Sequence, residues 1–216
     1  MNVRLVSHTP NPEETIVEVA RVSSSRKDKL SNYAGLVKYL AKHAHWSPFE
    51  HATFTFEIQT SKAIGIQLIR HRSFSFQEFS QRYQDVNKVG DMFEPIELRA
   101  QADDNRQSST DVLTEVPLKV NGLNATAEWH IRNLMHNSKA LYDAMIDAGI
   151  AREQARFVLP LSTSTTIHMT GSVRSWIHFL ELRDDGHAQK EIQLIAQAIK
   201  SELREQLPTV AEALSW

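Results

Sequence analysis

The sequence contains no cysteine. That absence excludes disulfides, thiolate metal ligands and a thiol nucleophile. Neither sign of charge dominates, with 24 Lys and Arg against 26 Asp and Glu and a formal net charge of -2. No global basic field therefore draws nucleic acid to the chain, and any anion site must be local. No uninterrupted apolar run approaches the length of a membrane span. The N-terminal MNVRLVSHTP lacks the apolar centre of a secretory signal, so a cytoplasmic protein is expected. What is present is 216 residues, 41% hydrophobic and 23% charged, enough for one sizeable domain or two small ones with a real core.

Hydrophobic spacing predicts the elements. Val3 to Val6 reads as a strand, and Glu13 to Val22 has helical spacing that stops at Ser23-Ser24-Ser25. SSSRKDKLS reads as a polar connection. A helix is expected over Asn32 to His43, capped by Ser31, with Leu36, Tyr39 and Leu40 on one face. ATFTFEIQ (52–59) alternates strictly and predicts a half-buried strand. Helical spacing resumes over Ser61 to Ile69. Residues 84–122 read as a variable insertion or loop, with one extended stretch at Met92 to Leu98. Thr126 to Ala148 predicts a long helix whose apolar stripe includes Trp129, Ile131, Leu134, Leu141 and Met145, ended by Gly149. A short helix at Arg152 to Phe157, an extended run over LPLSTSTTIHMT and a helix at Val173 to Leu182 follow. Then DDGH turns, with Asp185 or Gly186 as cap, into a helix from Ala188 to about Leu207 with Ile192, Ile195, Ile199 and Leu203 at core spacing. Pro208 is expected to terminate it, leaving a short tail. No repeat or linker interrupts the chain, so a single helix-rich α+β domain over 1–216 is expected.

One segment concentrates chemistry: RHRSFSFQEFSQRY, residues 70–83. Like charges tolerate such crowding only when solvated or facing anions. Were the segment helical, Glu78 and Arg82 would pair four residues apart, while Gln67 and Arg70 would present donors together. Phe74, Phe76 and Phe79 offer apolar or stacking surface. Forked guanidinium donors, hydroxyls and flat rings suit a nucleotide. A solvated charged face, core phenylalanines and a surface ion pair are the plainer reading. Two rivals stand beside these: a zinc-dependent hydrolase using His43, His45, His51 and Glu50, whose spacing matches no strong zinc motif, and a nucleic-acid-binding module, which the net charge disfavours.

Arg70-His71-Arg72, Ser75, Ser80 and Arg82, in that order and spacing, resemble the signature of the flavin-dependent thymidylate synthases. ARVS (20–23), HWSPFEHATFTFEI (45–58), ARFVLPLST (155–163) and HFLELRDDGHAQKEI (178–192) extend the resemblance over most of the chain except residues 84–122. The resemblance implies a mainly antiparallel sheet packed by long helices, and a homotetramer with shared active sites. It implies conversion of dUMP to dTMP with methylenetetrahydrofolate as carbon donor, tightly bound FAD as redox cofactor and NADPH as reductant. It implies no metal, membrane or nucleic-acid partner. By the same resemblance Gln67, Arg70, Glu78, Phe79, Ser80, Gln81, Arg82 and Arg156 bind dUMP. Arg183 activates the uracil; its plainer reading is a partner for Asp184 or Asp185, or for a helix C-terminus. Ser47, Arg70, His71, Arg72, Ser73, Glu78, Ser172, Arg174 and His178 are implied to hold FAD. Ser47 stands where the family often has threonine, Ser172 where it has asparagine, and His178 where asparagine is usual. His187 keeps the match in HAQ, or else begins a helix. The absent thiol is consistent with a route that does not use one.

Ser80 has no obvious activating base in the sequence. Ser80→Ala is therefore expected to lower turnover without abolishing it. Steady-state rates with dUMP binding measured in parallel check this; complete loss at normal dUMP affinity would contradict it.

Overall fold

A computed structural model describes residues 1–23, 33–88, 90–103 and 105–216. Ser31, Asn32 and most of the expected SSSRKDKLS connection lie outside those residues. In chain order the elements are β1 (Asn2–His8), α1 (Pro12–Ala20), α2 (Tyr33–Lys42), β2 (Thr53–Ser61), α3 (Lys62–Leu68), β3 (Ser75–Glu78), β4 (Arg99–Gln101), β5 (Ser109–Val112), β6 (Pro117–Val120) and β7 (Leu123–Thr126). Then come α4 (Ala127–Asp147), α5 (Arg152–Ala155), β8 (Ser164–Ser172), α6 (Val173–Arg183), α7 (Lys190–Gln206) and α8 (Pro208–Leu214). One sheet has the order β1-β2-β8-β3, and β4–β5 and β6–β7 are antiparallel pairs. Among the described residues no helix is long and apolar enough to cross a membrane. Two compact units are distinguished: Asn2–Ile58 with Gln67–Gln77 and Ile167–Trp216, and Met1 with Gln59–Ile66 and Glu78–Thr166.

In the first of these units, the alternation read in β2 is realised. Phe54, Phe56 and Ile58 are buried while Thr53, Thr55 and Glu57 are not. Ile192, Ile195, Ile199 and Leu203 are buried along α7, as their spacing predicts. The face of α2 differs by one position: Val37, Leu40 and Ala41 are buried, whereas Tyr39 is 51% exposed and stacks on His43 at 4.2 Å. Pro208 does not end the chain's regular structure. It occupies the first position of α8, where its missing N–H breaks no helical hydrogen bond. The buried Glu13 carboxylate accepts from the backbone N–H groups of Thr209 (2.6 Å) and Val210 (2.9 Å), satisfying two of the open donors of that helix start. Asp185 and Gly186 are not the cap of α7, whose flanking residue is Gln189.

The core of this unit centres on Trp176 of α6, which donates through its indole N–H to the Phe54 carbonyl at 3.3 Å. Phe56 and Phe74 meet it edge-on, with centroids at 5.0 and 4.6 Å. Phe74 can lie this close to the sheet because residue 171 of β8 has no side chain. A Cβ there would overlap the Phe74 ring.

In the other unit, Val86, Met92, Tyr142 and Ala155 form a small core, with Phe79, Met145 and Leu159 packed against it. Residues 84–122 are loop over most of their length, as read, but short strands interrupt them. They contain β4, β5 and β6, and Asn121-Gly122, both at positive φ, make the two-residue turn of the β6–β7 hairpin. The expected stripe of α4 is also corrected. Its buried residues are Ala127, Ser138 and Tyr142, while Trp129, Leu134 and Leu141 are 39%, 62% and 51% exposed.

Gly171→Ala is expected to lower the unfolding free energy by about 1–3 kcal/mol through overpacking against Phe74. Urea denaturation of Gly171→Ala, Phe74→Leu and the double variant tests this. The double should lose less than the sum of the singles, because the smaller side chain at 74 vacates the space the new methyl needs.

Candidate functional site

The Arg70–His71–Arg72 segment follows the end of α3, and its crowding is resolved by two different environments. Arg70 and Arg72 are exposed, and among the described residues neither pairs with a carboxylate. His71 is half-buried, edge-on to Phe179 at 5.0 Å and to Phe74 at 6.3 Å. Arg183 Nε donates to His71 Nε2 at 3.0 Å. A guanidinium can only donate, so Nε2 carries a lone pair and the neutral ring holds its proton on Nδ1. Burial, then the charge of Arg183 and of His178, push the imidazole down to about 4. The three residues thus form two solvated cations around one uncharged ring.

Arg183 closes α6 and is half-buried; desolvation lowers its pKa. Its plainer role as an aspartate partner does not hold. Asp184 accepts from Lys200 at 3.0 Å and Gln197 at 3.1 Å. Asp185 accepts from the His187 backbone N–H at 2.8 Å and contacts its Nδ1 at 2.8 Å. Among the described residues no carboxylate neutralises Arg183 and only His71 hydrogen-bonds it. A partly desolvated guanidinium of this kind is a ready partner for an electron-rich ligand. Gln67 donates to Gln189 Oε1 at 2.5 Å, and Gln189 donates onward to Glu191 at 2.8 Å. Gln189 was not singled out from sequence beyond its place in HAQ.

Ser73, Arg174 and His178 line an open cavity of about 360 Å³ together with Trp46, Glu50 and Glu181. The volume suits part of a ligand rather than a whole dinucleotide. Arg174 Nη1 donates to Glu50 Oε1 at 2.9 Å. Ser172 donates to Glu50 Oε2 at 2.6 Å and accepts from the Ser175 backbone N–H at 3.3 Å, so it caps α6. Ser47 is exposed in the short turn Ser47–Glu50. A guanidinium, hydroxyls and an indole face around one cavity fit part of a flavin dinucleotide, which carries phosphates and flat rings. The structure adds Trp46, Glu50 and Glu181 to the residues expected there. Only Glu50 had been considered, and for a different chemistry.

Glu78, Phe79, Ser80, Gln81, Arg82 and Arg156 belong to the other unit. Residues 75–78 are extended, so the helical Glu78–Arg82 pair does not form. Instead Lys62 Nζ (2.8 Å) and Thr165 Oγ1 (2.9 Å) both donate to Glu78 Oε1, leaving Oε2 without a donor among the described residues. Arg82 lies 3.4 Å from Glu153 in an exposed pair. Phe79 packs into the core, and its N–H donates to the Thr166 carbonyl at 2.9 Å. The side chain of Gln81 is buried, yet its Nε2 has no hydrogen-bond partner among the described residues. No histidine or carboxylate hydrogen-bonds the Ser80 hydroxyl among the described residues. Arg156 lies 5.7 Å from the centroid of the Phe157 ring and pairs with no carboxylate there. Among the described residues no three His, Asp or Glu side chains are grouped to hold a metal ion. His43 instead faces the Tyr39 carbonyl at 3.0 Å.

Comparison with known proteins bears on these groups. Residues 4–209 match the family model described as thymidylate synthase complementing protein. The chain is 41% identical, over all of both chains, to a protein of Paramecium bursaria Chlorella virus 1 named "Probable flavin-dependent thymidylate synthase". A Synechocystis protein named flavin-dependent thymidylate synthase is likewise 41% identical over the full length of both. Among solved structures, a UMP/dUMP methylase, PolB from Streptomyces cacaoi, bound with 5-Br dUMP, superposes with a TM-score of 0.76. It is 30% identical, covering 99% of this chain and 94% of that one.

The state of His71 predicts a pH dependence of stability. Its folded value of about 4 lies below the ordinary 6.5, so the unfolded chain binds the proton more readily. The contribution is complete above pH 6.5 and is lost as pH falls from 6.5 towards 4. His71→Phe keeps a ring beside Phe74 and Phe179 but cannot titrate. Urea midpoints measured across that window should fall more steeply for the wild type than for the variant.

Proposed function

The chain belongs to the thymidylate synthase complementing protein family, the flavin-dependent thymidylate synthases, and from that premise we propose that it methylates dUMP to dTMP with the carbon of 5,10-methylenetetrahydrofolate. The observation that carries the proposal is Arg183: half-buried, desolvated, without a carboxylate among the described residues, and held by a neutral imidazole. Beside a uracil ring its charge favours the ionised N3 and stabilises negative charge developing on the pyrimidine. FAD held by this chain's residues would, once reduced by NADPH, provide the two electrons needed to take the transferred carbon from methylene to methyl.

The remaining assignments divide by chemistry. Arg70 and Arg156, unpaired with carboxylates among the described residues, serve the nucleotide phosphate, as the planar fork of arginine suits. Gln67, Phe79, Ser80 and Arg82 are likewise assigned to dUMP binding. The buried, unpartnered Gln81 Nε2 supports this, because a buried donor left unsatisfied is costly until a ligand accepts from it. Glu78 retains Oε2 as an acceptor for a ligand hydroxyl. Ser47, Arg70, His71, Arg72, Ser73, Glu78, Arg174 and His178 serve the flavin. Ser172 is assigned there through Glu50, since its hydroxyl is already engaged by that carboxylate and by the start of α6. We also assign the chain to a homotetramer, supported by the exposed apolar side chains of α4.

The test begins with the freshly purified protein. A flavin absorption band that bleaches with NADPH and responds to dUMP is expected, with dTMP formed when methylenetetrahydrofolate is supplied. Arg183→Ala should lower dTMP formation by about 100-fold or more. Colourless protein that stays inert after FAD is added back would overturn the proposal.

A further inference from the structure

We propose that His71 is a positioning residue for Arg183: its uncharged imidazole accepts the Nε–H of the guanidinium and leaves the two terminal amino groups as a forked donor edge for the pyrimidine. The inference rests on the reading of Arg183 given above. A guanidinium has five N–H donors. Here one is engaged by His71 at 3.0 Å, and no other protein group hydrogen-bonds the rest among the described residues.

The ring that accepts is itself fixed. Phe179, four residues before Arg183 on α6, meets it edge-on at 5.0 Å. Positions four apart share one helix face, so ring and guanidinium are presented together. On the other side Phe74 lies at 6.3 Å and is held against Trp176 at 4.6 Å. The pocket left by Gly171 admits that phenylalanine. Packing in the core thus passes from β8 through Phe74 to the imidazole, and from the imidazole to the guanidinium.

The identity of the acceptor matters. An aspartate or glutamate in this place would also hold Arg183, but it would neutralise the charge that the uracil requires. A neutral imidazole orients the cation and leaves its charge available. The groups acting electrostatically on the ring are Arg183 and His178, both on α6, while Arg70 and Arg72 flank it on its own segment and are exposed. The guanidinium of Arg183 opposes protonation, which would turn the acceptor into a donor and set two positive groups against each other.

The experiment compares kcat and KM for dUMP in wild type, His71→Asn, His71→Leu and His71→Asp, with rates expressed per bound flavin. His71→Leu is expected to lower kcat about 10- to 100-fold, the worth of one hydrogen bond to a charged group. His71→Asn, which restores a neutral acceptor, should recover most of the loss. His71→Asp restores an acceptor but neutralises the guanidinium, and should remain as slow as His71→Leu. Should His71→Leu fail to fold, the contrast between Asn and Asp still decides. Equal rates for Asn and Asp, or a loss that disappears when rates are expressed per bound flavin, would overturn the inference while the wild type continues to make dTMP. A wild type that makes no dTMP overturns the functional proposal, and this inference with it.

Discussion

A single hydrogen bond, from the Nε–H of Arg183 to an uncharged His71, sets the electrostatics at the end of α6. A guanidinium drawn partly out of water loses solvation, and a carboxylate is the usual remedy. Here the nearby carboxylates are already engaged: Asp184 by Lys200 and Gln197, Asp185 by His187. The cation is held without being cancelled. The aromatic edges of Phe179 and Phe74 make the neutral imidazole possible, because an apolar surround favours the uncharged form. The electrostatics of the site therefore rest on the packing of the core.

The carboxylate at Glu50 follows the opposite logic. It binds Arg174 and the Ser172 hydroxyl on its two oxygens, and it lines the same cavity as Arg174. A ligand phosphate reaching Arg174 must share the guanidinium with Glu50 or displace it. The chain's serine at 172 is short, and it serves the start of α6 as well as this carboxylate. One residue thus links the geometry of a helix terminus to the polarity of a cavity wall.

Much of this was legible in the sequence, and the reasons for the exceptions are physical. Strict alternation exposed β2, and apolar spacing exposed α7, because both elements bury one face. By contrast β5 and β6 are exposed at every position, so no hydrophobic pattern marks them. The Asn121-Gly122 turn was the available signal for the β6–β7 hairpin. The stripe read on α4 held only in part: Met145 packs against the small core, but Trp129, Leu134 and Leu141 are exposed while Ser138 and Tyr142 are buried. The helix after Pro208 depends on Glu13, a partner nearly a whole chain away, which local spacing cannot reveal. Of the site, the arginines and their neighbours were readable as a group. That His71 would be neutral, and that Arg183 would find it rather than an aspartate, required the fold.

The close approach of Phe74 to Gly171 also bears on the history of the protein. A side chain at 171 overlaps the ring while Phe74 is in place, whereas shrinkage at 74 meets no such overlap. Two substitutions that are compatible together are thus less costly in one order than in the other. A lineage that has once refilled position 171 cannot easily recover the aromatic stack on which its arginine depends.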